Sequence, residues 1–154
     1  MLNPDYKEML QCLDAERAEF LVVGAYALAA HGLPRSTADF DIWVNPTPEN
    51  STKIYRALAV FGAPLSDVTP MDFAEEGVIF QIGVVPCRID IITKISGDIS
   101  FSEARSQAEV IQLDDGQMPI LSLGHLLTNK LATGRTKDIE DVKLLKRHIG
   151  ELPD

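Results

Sequence analysis

The chain has little that would tie it to a membrane, a disulfide scaffold or duplex DNA. Its 154 residues include two cysteines, Cys12 and Cys87, far apart and without CxxC or CxxH spacing. Both read as free thiols of a reducing compartment. Three histidines, His31, His125 and His148, show no spacing that suggests zinc. The longest apolar run, Phe20 to Ala30, is interrupted by Gly24 and ends at His31, well short of the ~20 residues that cross a bilayer. The opening Met1-Leu2-Asn3-Pro4-Asp5 lacks a basic segment followed by an apolar one, so a cytoplasmic location is expected. Positive charge is scarce: 14 Lys and Arg against 23 Asp and Glu give a net charge of −9. No global field then draws the chain to duplex DNA, RNA or anionic lipid. Any polyanion it binds needs a local basic patch or a metal.

What is present is enough to build a core. Hydrophobic residues make up 45% and charged residues 24%, and no repeat or low-complexity tract argues for disorder. One domain spanning 1–154 is expected, with a core over about 18–121 and C-terminal helices over about 122–149. Asn3-Pro4 predicts a helix start, and Tyr6, Met9, Leu10 and Leu13 carry its apolar face over residues 4–16. Phe20–Val23 reads as a buried strand stopping at Gly24, and Ala25–Ala30 as a helix ending at His31-Gly32. Thr47-Pro48-Glu49 opens a helix closed by Gly62, with Ile54, Leu58 and Phe61 facing inward. Strands are predicted over 38–44, 78–85, 87–93, 109–113 and 117–121, the last two forming a hairpin about Asp114-Asp115-Gly116. A short helix is predicted over 101–108, and a final helical pair over about 123–133 and 136–148. The expected class is α/β (α+β), a mixed sheet of five or six strands with flanking helices.

The informative residues are acidic. Asp39 and Asp41 stand two apart on a predicted strand, so both project from one face with Cα atoms ~6–7 Å apart. Such a pair can share one hard divalent cation. Asp90 lies between Ile89 and Ile91 on a second predicted strand and points away from their buried face. It could reach the same metal or accept a proton from an incoming hydroxyl. Gly24-Ala25, at a strand-to-helix turn, lets backbone N–H groups approach a phosphate. Arg35 and Thr37, just before the acids, could contact phosphate or orient the loop.

This order of motifs resembles the nucleotidyltransferase superfamily with a DNA-polymerase-β-like palm. The pattern is an apolar strand, Gly24-Ala25, a helix, His31-Gly32, Arg35-x-Thr37-x-Asp39-x-Asp41, and a later lone Asp90. The resemblance covers roughly residues 18–148 and is nearest to small stand-alone prokaryotic members, including those of toxin–antitoxin pairs. Asn129-Lys130-Leu131-Ala132-x-Gly134-Arg135-x-Lys137-Asp138-x-x-Asp141 is similar to the C-terminal helices of that group. The family more often has Gly-Gly or Gly-Ser at the turn; Ala25 keeps the small volume and only the backbone contact. The resemblance implies Mg²⁺ (or Mn²⁺) on Asp39, Asp41 and Asp90, with Asp90 as second-site ligand or base. ATP or another nucleoside triphosphate is the implied donor.

It implies substrate contacts from Gly24, Ala25, Arg35, Thr37, Lys130, Arg135 and Lys137. The implied acceptor is a hydroxyl on a transfer-RNA end, a protein side chain or a small molecule, with a cognate antitoxin or partner protein in the toxin–antitoxin case. The alternative is a non-catalytic nucleotide-binding or antitoxin module on the same fold. Three clustered aspartates repel a triphosphate, so binding without a divalent cation should be poor. Candidate counter-charges are Arg35, Arg88, Lys94, Lys130, Arg135 and Lys137. Trp43 shares the face of the acids and could stack on a base, although edge packing suits it better; His31 reads as a helix-end residue.

Overall fold

In a computed structural model, describing residues 2–33, 39–84 and 87–151, six helices surround a six-stranded sheet. Asn3 accepts a hydrogen bond from the Asp5 amide and Pro4 opens α1 (Pro4–Ala15). β1 (Phe20–Val23) runs directly into α2 (Gly24–Ala30). β2 (Asp39–Val44) leads to α3 (Pro48–Phe61), which is capped by Thr47 and closed by Gly62 in the left-handed conformation. After a 3-10 turn at Asp72–Ala74 come β3 (Ile79–Ile82), β4 (Arg88–Ile92) and α4 (Phe101–Ser106). The hairpin β5 (Glu109–Leu113) and β6 (Gly116–Ile120) precedes α5 (Leu123–Thr133) and α6 (Thr136–Glu151).

The strand order is β3-β4-β2-β1-β6-β5. β2 runs parallel to β4 and β1 parallel to β6, while the other neighbours are antiparallel. The mixed sheet expected from the alternation is therefore present. One face carries the core: Phe40 and Ile42 are fully buried, and Phe40 packs between Tyr6, 4.7 Å away, and Tyr26 at 5.1 Å. Met9, Leu10 and Leu13 of α1 and Ile54 and Leu58 of α3 are buried with them. Period-2 burial thus turns Asp39 and Asp41 onto the opposite face. Buried Asn50 fastens α3 to the sheet by accepting from the Glu19 amide and donating to the Glu19 and Asn45 carbonyls.

Some boundaries differ from the periodicity reading. The strand predicted over 78–85 is confined to Ile79–Ile82, because Gly83 turns to φ +76° and leaves the ladder. The helix predicted over 101–108 stops at Ser106, and α6 continues past His148 to Glu151. β6 starts at Gly116, which pairs with Leu113 across Asp114-Asp115. Cys12 is buried, Cys87 half-buried, and both are free. Among the described residues, no helix is long and apolar enough to cross a membrane.

Candidate active site

The parallel pairing of β2 with β4 builds the site. Asp39 lies opposite Arg88, Asp41 opposite Asp90 and Trp43 opposite Ile92, so all six side chains share the face turned away from α1. Carboxylate oxygens of Asp39, Asp41 and Asp90 come within 4.8 Å of one another. On the other side of β2, Val23 pairs with Asp41, which brings the β1–α2 turn over the same carboxylate. Gly24 sits there at φ +69°, and a Cβ on it would lie 2.4 Å from Asp41 Oδ2. Glycine therefore serves both the left-handed backbone and the close approach.

The three acids line a cavity of about 620 Å³ with Gly24, Ala25, Arg88, Lys130, Arg135 and Lys137. The structure thus brings together eight of the ten residues expected at the site. Arg35 and Thr37 lie outside the described residues. Lys94, expected as a counter-charge, is not in this cavity. It lies two residues beyond β4, lines a neighbouring cavity of about 440 Å³, and approaches Glu76 at 3.6 Å.

Arg88, read from the sequence only as one basic residue among several, is central. Its Nη2 donates to Asp39 Oδ2 at 2.5 Å and to Asp90 Oδ2 at 3.4 Å, and its Nε stands 3.2 Å from Asp90 Oδ1. That last contact lacks hydrogen-bond alignment, and both atoms are buried without a hydrogen-bond partner among the described residues. One guanidinium does not neutralise three carboxylates. Burial, then the charges of Asp90 and Asp39, push Asp41 up to about 6 from an ordinary 3.8. Burial pushes Asp90 upward too, and Arg88 offsets only part of it.

The basic side of the cavity is built by the helical pair. Lys130 is largely buried, with Nζ 2.9 Å from Asp138 Oδ1 and 3.2 Å from Asp141 Oδ2. Asp138 also accepts from Thr133 Oγ1 and from Arg135 Nε at 2.7 Å. Burial raises the Asp138 carboxyl, but these hydrogen bonds and the Lys130 charge outweigh it and hold the group well below the usual range. Lys130 is thus a fixed charge; Lys137 is exposed and makes no ion pair among the described residues.

Asp138→Asn should destabilise the fold by about 3 kcal/mol, because it leaves Lys130 under-compensated in a buried place. A group depressed by its partners stabilises above its unfolded pKa and loses that contribution as pH falls. The stability gap between wild type and Asp138→Asn in urea unfolding should therefore narrow below pH 4. A gap unchanged at pH 3 would contradict this network.

Trp43 is 2% exposed and packs edge-on against Phe101, ring centres 5.2 Å apart, so it is a packing residue. His31 caps α2 and its Nε2 meets the Leu121 carbonyl at 2.8 Å.

The donor set suits a hard divalent cation. Three carboxylates converge from adjacent strands, and among the described residues Asp90 Oδ1 has no hydrogen-bond partner and no sulfur or imidazole joins the cluster.

No protein-family model and no curated protein sequence matches the chain; solved structures do. The backbone is similar to the Thermotoga maritima protein TM1012, described as a candidate nucleotidyltransferase. That match has a TM-score of 0.63 at 18% identity and covers 99% of this chain and 97% of the other. It is also similar to ANT(2'')-Ia solved with adenylyl-2''-tobramycin, at a TM-score of 0.62, 15% identity and 94% and 87% coverage. A solution structure of the antibiotic-resistance factor ANT(2'')-Ia gives 0.61 at 15% identity, covering 94% and 82%. The chain has the nucleotidyltransferase fold.

Proposed function

We propose that this protein is a divalent-metal-dependent nucleotidyltransferase, moving a nucleoside monophosphate from a nucleoside triphosphate to a hydroxyl acceptor. The observation that carries this reading is the convergence of Asp39, Asp41 and Asp90 beneath Gly24 in a cavity with basic residues on its other side. Asp39, Asp41 and Asp90 would hold Mg²⁺ or Mn²⁺, which when bound supplies charge neutralisation and polarises the phosphate. Gly24 and Ala25 open α2 with amides that lack helical acceptors and can face phosphate oxygens. Lys137, exposed at the cavity, and Arg135, exposed there and anchored through Nε to Asp138, supply positive charge to the departing end of the donor. The acceptor oxygen bonds to the α-phosphorus, the bond to the α,β-bridging oxygen breaks, and pyrophosphate leaves. Asp90, the one acid of the cluster on β4, takes the acceptor proton where it is not itself a metal ligand.

ANT(2'')-Ia is described with an adenylylated small molecule, which supports a small-molecule acceptor on this fold. Transfer-RNA ends and protein hydroxyls complete the acceptor screen. A cognate toxin or antitoxin partner would register as altered transfer when added.

The test supplies each of the four nucleoside triphosphates, labelled at the α-phosphate, with Mg²⁺ or Mn²⁺ and these acceptors. Transfer of label with equimolar pyrophosphate release is expected from one donor. Metal-dependent nucleotide binding with no pyrophosphate release under any combination would make the protein a nucleotide-binding module instead.

A further inference from the structure

Arg88 occupies an unusual position for a side chain with no covalent chemistry to perform. It stands opposite Asp39 in the β2–β4 register and two residues before Asp90 on the same face. Its guanidinium bridges the carboxylates of both. Those are two of the three groups that could hold a cation, and their oxygens lie within 4.8 Å of the third. A guanidinium and a divalent ion both draw on the same carboxylate lone pairs, and two positive charges at this separation repel.

The bridge is incompletely made. Arg88 Nε and Asp90 Oδ1 are 3.2 Å apart and buried, yet among the described residues neither forms an aligned hydrogen bond. Buried polar atoms left unsatisfied cost free energy until a better partner arrives. The Arg88 side chain is 30% exposed and lines the same cavity as Lys130, Arg135 and Lys137. A ligand in that cavity therefore lies within reach of the side chain that bridges the two carboxylates. Planar, multi-donor guanidinium is also well matched to phosphate oxygens.

We propose that Arg88 is an exchangeable counter-cation, holding Asp39 and Asp90 while the site is empty of metal and passing to the nucleotide phosphates when a divalent ion takes those carboxylates. This rests on the nucleotidyltransferase reading and deepens it. Arg88 then makes metal binding conditional on nucleotide. The free ion must compete with a guanidinium, whereas the metal–nucleotide complex brings its own anion to receive it. Arg88 is a positioning residue here, acting through the three aspartates and the phosphate rather than on the reacting atoms.

The test measures Mn²⁺ binding in the absence of nucleotide, by electron paramagnetic resonance of free Mn²⁺. It then measures binding of each of the four nucleoside triphosphates at saturating Mn²⁺. Wild type, Arg88→Gln, Arg88→Lys and Asp41→Asn are compared, each checked for folding by melting. Arg88→Gln should bind Mn²⁺ alone about tenfold or more tightly than wild type, because a competing charge is gone. The same variant should bind the metal–nucleotide complex about tenfold more weakly, having lost a charge-assisted contact. Arg88→Lys should stay close to wild type for Mn²⁺ alone. A merely structural arginine would give equal or weaker Mn²⁺ binding on substitution, and that result overturns the proposal while wild type still binds the metal–nucleotide complex. Wild type binding neither Mn²⁺ nor any metal–nucleotide complex would overturn the underlying reading as well.

Discussion

Replacing Asp41 with asparagine should lower nucleotidyl transfer on the order of a thousandfold, about 4 kcal/mol of transition-state stabilisation, while making the metal-free protein more stable. The two effects share one cause. Asp41 is held among Asp39, Asp90 and buried backbone, and its carboxyl is pushed up to about 6. A carboxyl whose folded pKa exceeds its unfolded value favours folding only while protonated. That contribution is complete below the unfolded value near 4 and is lost as pH rises through about 6. In metal-free buffer, wild type should therefore lose stability between about pH 4 and pH 7, and Asp41→Asn should lose much less.

Raising this carboxyl from 3.8 to about 6 corresponds to about 3 kcal/mol, and partial solvent access reduces this to about 1–2 kcal/mol at pH 8. For a domain of this size that is a rise of about 3–6 °C in melting temperature. A purely structural carboxylate would show the reverse, with the asparagine variant less stable and nucleotide binding intact.

Gly24→Ala should have the second large effect. The added methyl would lie 2.4 Å from Asp41 Oδ2, and the backbone is at φ +69°. Left-handed geometry costs a non-glycine residue about 1–2 kcal/mol, so some stability is lost at once. The larger consequence is displacement of Asp41, and a shift of about 1 Å in a catalytic group can cost about a hundredfold in rate. Gly32 offers the control. It is also left-handed, at φ +91°, but among the described residues a Cβ there would meet nothing within 4 Å. Gly32→Ala should lose similar stability in urea unfolding and keep its transfer rate. Equal losses of transfer in both variants would mean that Gly24 matters through the backbone alone.

Much of this was legible in the sequence, and the limits have physical reasons. Alternation alone placed Asp39 and Asp41 on one face, and the flanking Ile89 and Ile91 turned Asp90 the same way. Local capping signals located α1, α3 and α5, whose Asn3, Thr47 and Ser122 side chains accept from amides two or three residues on.

What the sequence could not show is long-range register. The placement of Arg88 opposite Asp39 follows from β2 and β4 pairing in parallel across the intervening α3 and β3, and no local pattern encodes that. Lys94 looked close to the acids because it follows Asp90 by four residues. Beyond the end of β4 the chain carries it past Thr93 to the neighbouring cavity. Lys130 was expected among the counter-charges, but its two carboxylate partners were not: only the packing of α6 on α5 encloses it with Asp138 and Asp141.

The most direct measurement is thermal melting of wild type and Asp41→Asn with each of the four ribonucleoside triphosphates, with and without Mg²⁺. A ligand at ~100 times its Kd stabilises the folded state by about 2.7 kcal/mol, several degrees for a domain of this size. The predicted result is such a rise with at least one nucleotide, only when Mg²⁺ is present and only in the wild type. No shift with any nucleotide, or an equal shift in Asp41→Asn, would contradict the assignment of Asp39, Asp41 and Asp90 as the metal-dependent nucleotide site.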